Sequence, residues 1–129
     1  MLCKTFTALA MLACSAVVAN AGDVSPGHGD PVKGAQVFKR CAICHTTERG
    51  GADGLGPNLF GIAGTKAGVR PGFSFSPALK QSGLVWDEAT MTKWVAAPAH
   101  LVPKNKMFFP GITSKKEQAD LVAYLEALK

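Results

Sequence analysis

Cys41-Ala42-Ile43-Cys44-His45 sets two thiols two residues apart, with an imidazole directly behind them. Thiols at that spacing can add to the two vinyl groups of a haem, and the adjacent imidazole then lies under the iron as an axial ligand. A thioredoxin-type dithiol shares the spacing but needs a βαβ setting, and no stretch of this chain sustains the period-2 alternation of strands. A structural zinc site needs four ligands, and the chain has no second Cys-x-x-Cys pair. The pentapeptide therefore predicts one haem c with its iron, covalently held through Cys41 and Cys44.

The other two cysteines, Cys3 and Cys14, fall in a segment of different character. Lys4 is the only charge before Asp23, and a largely apolar run from Phe6 to Val18 ends in Ala19-Asn20-Ala21. This is the pattern of a secretory signal peptide, with cleavage expected after Ala21. The run is too short and too rich in Ala and Thr to cross a bilayer core of about 30 Å. The alternative is processing before Cys14, since Met11-Leu12-Ala13-Cys14 loosely resembles a bacterial lipoprotein site. The Met where Leu is usual, and the Ala-x-Ala further on, weigh against it. Cleavage removes Cys3 and Cys14 and leaves no disulfide scaffold. It also leaves 13 basic against 9 acidic side chains, a net charge of +4. A moderately basic surface suits an acidic protein partner or, at most peripherally, an anionic membrane. An exported protein without a dense Arg/Lys cluster is a poor candidate for binding nucleic acid.

With 129 residues, 18% charged and 47% hydrophobic, the chain holds one globular domain. Residues 1–21 are expected to be the signal peptide, 22–29 a flexible Gly/Pro-rich arm and 30–129 the domain. Asp30-Pro31 is a helix start, Asp as cap and Pro at the first position, and Val32, Ala35 and Phe38 then share a face. Residues 46–72 are rich in Gly, with Pro57 and Pro71, and read as loop. A second helix is predicted from Asp87, with Met91, Trp94 and Val95 on a stripe and Pro98 as its end. Ser114-Lys115-Lys116-Glu117 has the form of a capping box, followed by Leu121, Val122, Leu125 and Leu128 at helical spacing. The fold class is all-α: three main helices with long loops. That is a thin core for about a hundred residues, and a large apolar cofactor would complete it.

A haem iron has a sixth position, and His28, His100, Met91 and Met107 are the candidates in the mature chain. His28 lies in the arm, and His100 in a loop after Pro98. Met91 fits the helix stripe and reads as core packing. Met107 lies in Pro103-Lys104-Asn105-Lys106-Met107-Phe108-Phe109-Pro110-Gly111, a Pro-bounded loop suited to presenting a thioether, with Phe108 and Phe109 beside it as shields.

Over residues 30–129 the chain resembles the class I c-type cytochromes of the short bacterial and mitochondrial kind. Gly34 and Phe38 stand where that family crosses its first helix on its last, with Leu121 and Tyr124 on the partner side. Gly56-Pro57-Asn58-Leu59 is similar to the family's loop below the haem, which implies that the Pro57 carbonyl accepts the ring N–H of His45. Gly64, Gly68, Pro71-Gly72-Phe73 and Trp86 also fall in register. Lys106-Met107-x-Phe109-x-Gly111 resembles the distal ligand segment, so His45 and Met107 become the implied iron ligands, Met107 on loop chemistry and resemblance together. Three positions depart. Thr65 and Phe75 stand where relatives often carry a basic residue and a Tyr that bond a haem propionate, leaving Trp86 as an indole donor and Lys66 or Arg70 to compensate. Trp94 replaces a Tyr frequent near the sulfur.

The resemblance implies the cytochrome c fold wrapped around one haem, and a soluble, monomeric single-electron carrier rather than an enzyme. It would shuttle electrons between redox partners in the periplasm, as in a respiratory chain; a respiratory oxidase, a photosynthetic reaction centre and a periplasmic dehydrogenase are all compatible partners. Arg40, Lys66, Lys104, Lys106 and Lys115 are expected near the exposed haem edge, where they would meet partners with acidic docking faces. The alternative is a haem enzyme or small-ligand binder with a displaceable sixth ligand. No additional His, Arg or carboxylate cluster points to peroxide chemistry.

Overall fold

Asp30 and Pro31 open the first helix as the sequence predicts. The computed structural model describes residues 28–129. The expected signal peptide, its cleavage point after Ala21 and residues 22–27 of the arm lie outside the described residues. Asp30 Oδ1 accepts from the amides of Val32 (2.9 Å) and Lys33 (3.2 Å), satisfying two of the donors that a helix start leaves free. Among the described residues five helical segments follow in order: α1 Pro31–Phe38, α2 Pro77–Lys80, α3 Glu88–Ala96, α4 Pro98–Leu101 and α5 Lys115–Ala127. Among the described residues there is no strand, only an isolated antiparallel bridge between Lys66 and Val85. The all-α class holds.

The packing of α1 on α5 organises the molecule. A Cβ on Gly34 would sit 1.9 Å from the Asp120 carbonyl oxygen and 2.7 Å from Tyr124 Cβ, so only glycine lets the two backbones come this close. Phe38 and Tyr124 pack beside the crossing, ring centroids 5.2 Å apart, and Leu121 is wholly buried against it. This contact corrects the expected stripe of α1. Gly34, Val37 and Phe38 form the buried face, while Val32 is 74% exposed. Close approach at Gly34 turns the helix by its small residue, not by its first apolar one. The buried Asp120 carboxylate ties the two helices further, accepting from Asp30 N at 2.7 Å and from Lys116 Nζ.

Two expectations about helix ends need revision. The Ser114 hydroxyl accepts from Glu117 N (3.3 Å), which is half of a capping box. The Glu117 carboxylate leaves the other half unmade and instead takes both guanidinium nitrogens of Arg40, at 3.1 and 2.7 Å. Pro98 follows the end of α3 at Ala96 as predicted, but it also opens α4 at the position where its missing N–H costs nothing. His100 therefore lies on an exposed helical turn, not in a loop. The short α2 was not legible in the sequence. Ser76 Oγ accepts from Leu79 N (3.1 Å) to cap it, and Leu79 is buried. Backbone bonds from Gly64 N to Trp86 O, Trp86 N to Thr65 O and Ala67 N to Leu84 O hold residues 64–67 against 84–86.

Candidate functional site

Past Phe38 the chain leaves α1 in tight turns. Cys41 N and Ala42 N both donate to Phe38 O (2.7 and 2.9 Å), and Cys44 N and His45 N both donate to Cys41 O (3.0 and 2.9 Å). The compact turn places Cys41, Cys44 and His45 together on the wall of one cavity. The two thiols are half-buried and not bonded to each other. Burial pushes the Cys41 thiol above its ordinary pKa, with Arg40 acting against the shift.

His45 is held from two sides. Its Nδ1 lies 2.7 Å from Pro57 O. A carbonyl can only accept, so Nδ1 carries the proton and Nε2 keeps a free lone pair. Burial lowers the imidazole pKa, opposed by that same hydrogen bond, so the ring is neutral at neutral pH. A Cβ on Gly56 would lie 2.3 Å from His45 Cε1. The ring rests directly on that glycine, which no larger residue would permit.

The loop from 46 to 60 is knitted by one buried amide. Asn58 Nδ2 donates to Thr46 Oγ1 (2.8 Å) and Glu48 O (3.0 Å), and Asn58 Oδ1 accepts from Phe60 N (2.8 Å). Asn58 N donates to Asp53 Oδ1 (2.7 Å), and the same oxygen accepts from Arg70 Nε (2.8 Å). The Asn58 amide holds the Asp53 carboxyl below the usual carboxylate range; partial burial works against it, and Arg70 adds to it.

The 103–109 loop is held differently. Asn105 Oδ1 accepts from Met107 N (2.7 Å), while Asn105 Nδ2 donates to Pro98 O (3.0 Å) and Val102 O (2.8 Å). Lys104 takes φ +64°, a left-handed conformation unusual for a side chain of its kind. Lys106 Nζ reaches Ser74 O across the cavity mouth at 3.3 Å.

The cavity these loops enclose measures about 1040 Å³, at the upper end of the ~300–1,000 Å³ that small-molecule and cofactor sites span. Its wall includes Trp86 set edge-on to Trp94 (5.2 Å), Phe73 edge-on to Phe75 (4.8 Å), and Leu79, Val95, Leu121 and Leu125. All seven residues singled out in the sequence, Cys41, Cys44, His45, Pro57, Trp86, Met107 and Phe109, line it. Met91 lines it too, from α3, with 3% of its surface exposed. His28 and His100 do not. Phe108 also lines the cavity but is fully exposed at its mouth, unlike half-buried Phe109. Of the five basic residues expected at the edge, Arg40, Lys66 and Lys106 are there, Arg40 already paired with Glu117. Lys104 does not line the cavity, and Lys115 borders a separate depression of about 260 Å³ against α3 and α4. Asp53 and Asn105 carry more of the site than the sequence reading assigned them. The available signal was the habit of Asp and Asn of bonding loop backbone.

A large apolar cavity with two thiols and a neutral imidazole on one wall fits a haem in both shape and donor chemistry. The Cytochrome c family model matches residues 31–129. The chain belongs to the cytochrome c family. It is 50% identical over 97 residues to cytochrome c2 of Rhodomicrobium vannielii, covering 75% of this chain and 78% of that protein. It is 46% identical over 101 residues to cytochrome c2 of Rhodoblastus acidophilus, covering 78% and 94%. Among solved structures it is similar to cytochrome cH from Methylobacterium extorquens, with a TM-score of 0.72 and 45% identity over 77% of this chain and 99% of that one. As a member of this family it is a haem c protein that transfers electrons and is not an enzyme.

Proposed function

We propose that this cytochrome c is a monomeric periplasmic shuttle for single electrons, with Cys41 and Cys44 as the anchors of its haem and His45 and Met107 as the axial ligands. When bound, the haem supplies an iron that takes up and releases one electron. The protein binds, orients and shields. Pro57 fixes the His45 tautomer so that Nε2 is the free nitrogen. Asn105 positions the backbone of Met107, whose thioether favours the reduced state. Trp86, Phe109 and the aliphatic wall exclude water. With His45 and Met107 holding the iron, the chain itself would supply both ligands and leave no open position for a substrate. The observation that carries this reading is a single cavity lined by both thiols, a tautomer-locked imidazole and a methionine presented from a loop.

The placement in the periplasm rests on the N-terminal segment with its Ala19-Asn20-Ala21 ending. Among the described residues no helix is long and apolar enough to cross a membrane. Docking to acidic partner faces is supported by Lys66 and Lys106 at the cavity mouth, beside the exposed apolar side chains of Ile43, Leu55 and Val69. Such a mixed rim suits brief, electrostatically steered encounters.

The ligand assignment is tested by the near-infrared spectrum of the oxidised protein. Met107→Ala should abolish the sulfur-to-iron charge-transfer band, and Met91→Ala should leave it. Survival of the band in the first variant and its loss in the second would make Met91 the ligand.

A further inference from the structure

One peptide unit of the site is used from both ends. The carbonyl of the Pro57–Asn58 peptide accepts from His45 Nδ1 at 2.7 Å, and its N–H donates to Asp53 Oδ1 at 2.7 Å. Arg70 Nε donates to that same carboxylate oxygen at 2.8 Å, from the loop on the other side of Asp53. We propose that the Asp53–Arg70 ion pair acts through this peptide as a relay that sets how strongly His45 donates to the iron. The proposal rests on His45 being an axial ligand and adds two positioning residues to it, neither of which touches the imidazole.

The physical case is one of polarisation along a chain of hydrogen bonds. A carboxylate accepting from a peptide N–H forms a charge-assisted bond and draws the amide dipole into line. Bonds arranged in series strengthen one another, by roughly 10–30% per bond in condensed phase. The peptide oxygen thereby becomes more negative and pulls harder on the Nδ1 proton of His45. A more strongly held Nδ1 proton makes Nε2 a better electron donor, which favours the oxidised iron. Arg70 opposes this, because it shares the one oxygen that the Asn58 amide uses. The pair lies at the surface, with 26% of the Asp53 side chain and 37% of Arg70 exposed, so salt weakens its long-range field while the short hydrogen bonds to the peptide remain. The carboxyl of Asp53 is ionised at neutral pH, as its depressed pKa requires.

The two partners therefore have opposite effects. Asp53→Asn keeps an oxygen acceptor for the Asn58 amide but removes the charge, and the midpoint potential should rise. Arg70→Gln leaves the Asp53 charge undivided, and the potential should fall. A merely structural brace between the loops would give shifts of the same sign from both variants, alongside a common loss of thermal stability.

The test uses the haem-loaded protein and two readouts. Potentials are measured for Asp53→Asn, Arg70→Gln and, as a control, Glu48→Gln, which changes the charge of the same loop without touching the peptide. In the reduced, diamagnetic protein the His45 Nδ1–H proton resonance is followed in parallel. The relay predicts an upfield move in Asp53→Asn, a downfield move in Arg70→Gln and none in Glu48→Gln, each of the first two in step with its potential. Potential shifts with a stationary Nδ1–H signal would mean plain through-space charge and would overturn the relay, as would shifts of equal sign. His45 ring protons lacking the large shift of a haem-bound imidazole would instead overturn the ligand reading, and the relay with it.

Discussion

The two loops that present His45 and Met107 are built to different standards. The 45–60 loop is tied at many points: Asn58 makes three side-chain hydrogen bonds, Asp53 joins its amide to Arg70, and His45 is clamped between Gly56 and Pro57. The 103–109 loop depends chiefly on the side chain of Asn105. It also contains Lys104 in a left-handed conformation and places Phe108 entirely in solvent. Local stability follows the density of buried contacts and satisfied hydrogen bonds. The His45 side of the site should therefore behave as a fixed mount, and the Met107 side as the part that yields first.

The largest effect is expected where the fixed mount has least room. Gly56→Ala drives a methyl to 2.3 Å from the His45 ring, so the ring or the loop must shift and the bond to Pro57 is lost. Overpacking of this kind costs about 3 kcal/mol, and denaturant unfolding of the haem-loaded protein should show it. A variant as stable as the parent would mean that the proximal loop is as compliant as the distal one. Next is Asn105→Ala, which removes three of the distal loop's side-chain bonds and leaves those of Lys106 to Ser74. At about 0.5–1.5 kcal/mol net per bond, a loss of about 2 kcal/mol is expected. Added imidazole should then displace Met107 up to about thirtyfold more tightly. The smallest effect is Lys104→Gly. Relief of the left-handed backbone, about 1 kcal/mol, is partly offset by the greater freedom of Gly in the unfolded chain. The net gain of about 0.5 kcal/mol should weaken imidazole binding about twofold. An unchanged affinity in both loop variants would remove Asn105 and Lys104 from the account of how Met107 is held.

The parts of the site that could be read from sequence are those written contiguously. Cys41, Cys44 and His45 state their chemistry within five residues, and the Pro-bounded loop states the case for Met107. The helix starts at Asp30, Asp87 and Ser114 were equally legible, because a cap is a local event. What the sequence hid depends on distant partners. By sequence Arg40 is a free docking charge, but Glu117, 77 residues away, occupies it. By periodicity Val32 belongs to the core, but Gly34 sets the facing side of α1. Asp53 and Arg70, separated by 17 positions in a loop without periodicity, gave no sign of sharing a bond. The four residues of α2 are too few to show a helical period.

Native-state hydrogen exchange on the reduced, haem-loaded protein compares the two mounts most directly. The amides of Asn58, Leu59 and Phe60, which donate to Asp53, Thr46 and Asn58 respectively, report on the His45 side. The amides of Met107 and Phe109, which donate to Asn105 and Met107, report on the other. The account predicts that the Met107 and Phe109 amides exchange through a small opening of low free energy, and that the Asn58, Leu59 and Phe60 amides need a larger and costlier one. Equal opening free energies for the two sets, or the reverse order, would contradict it.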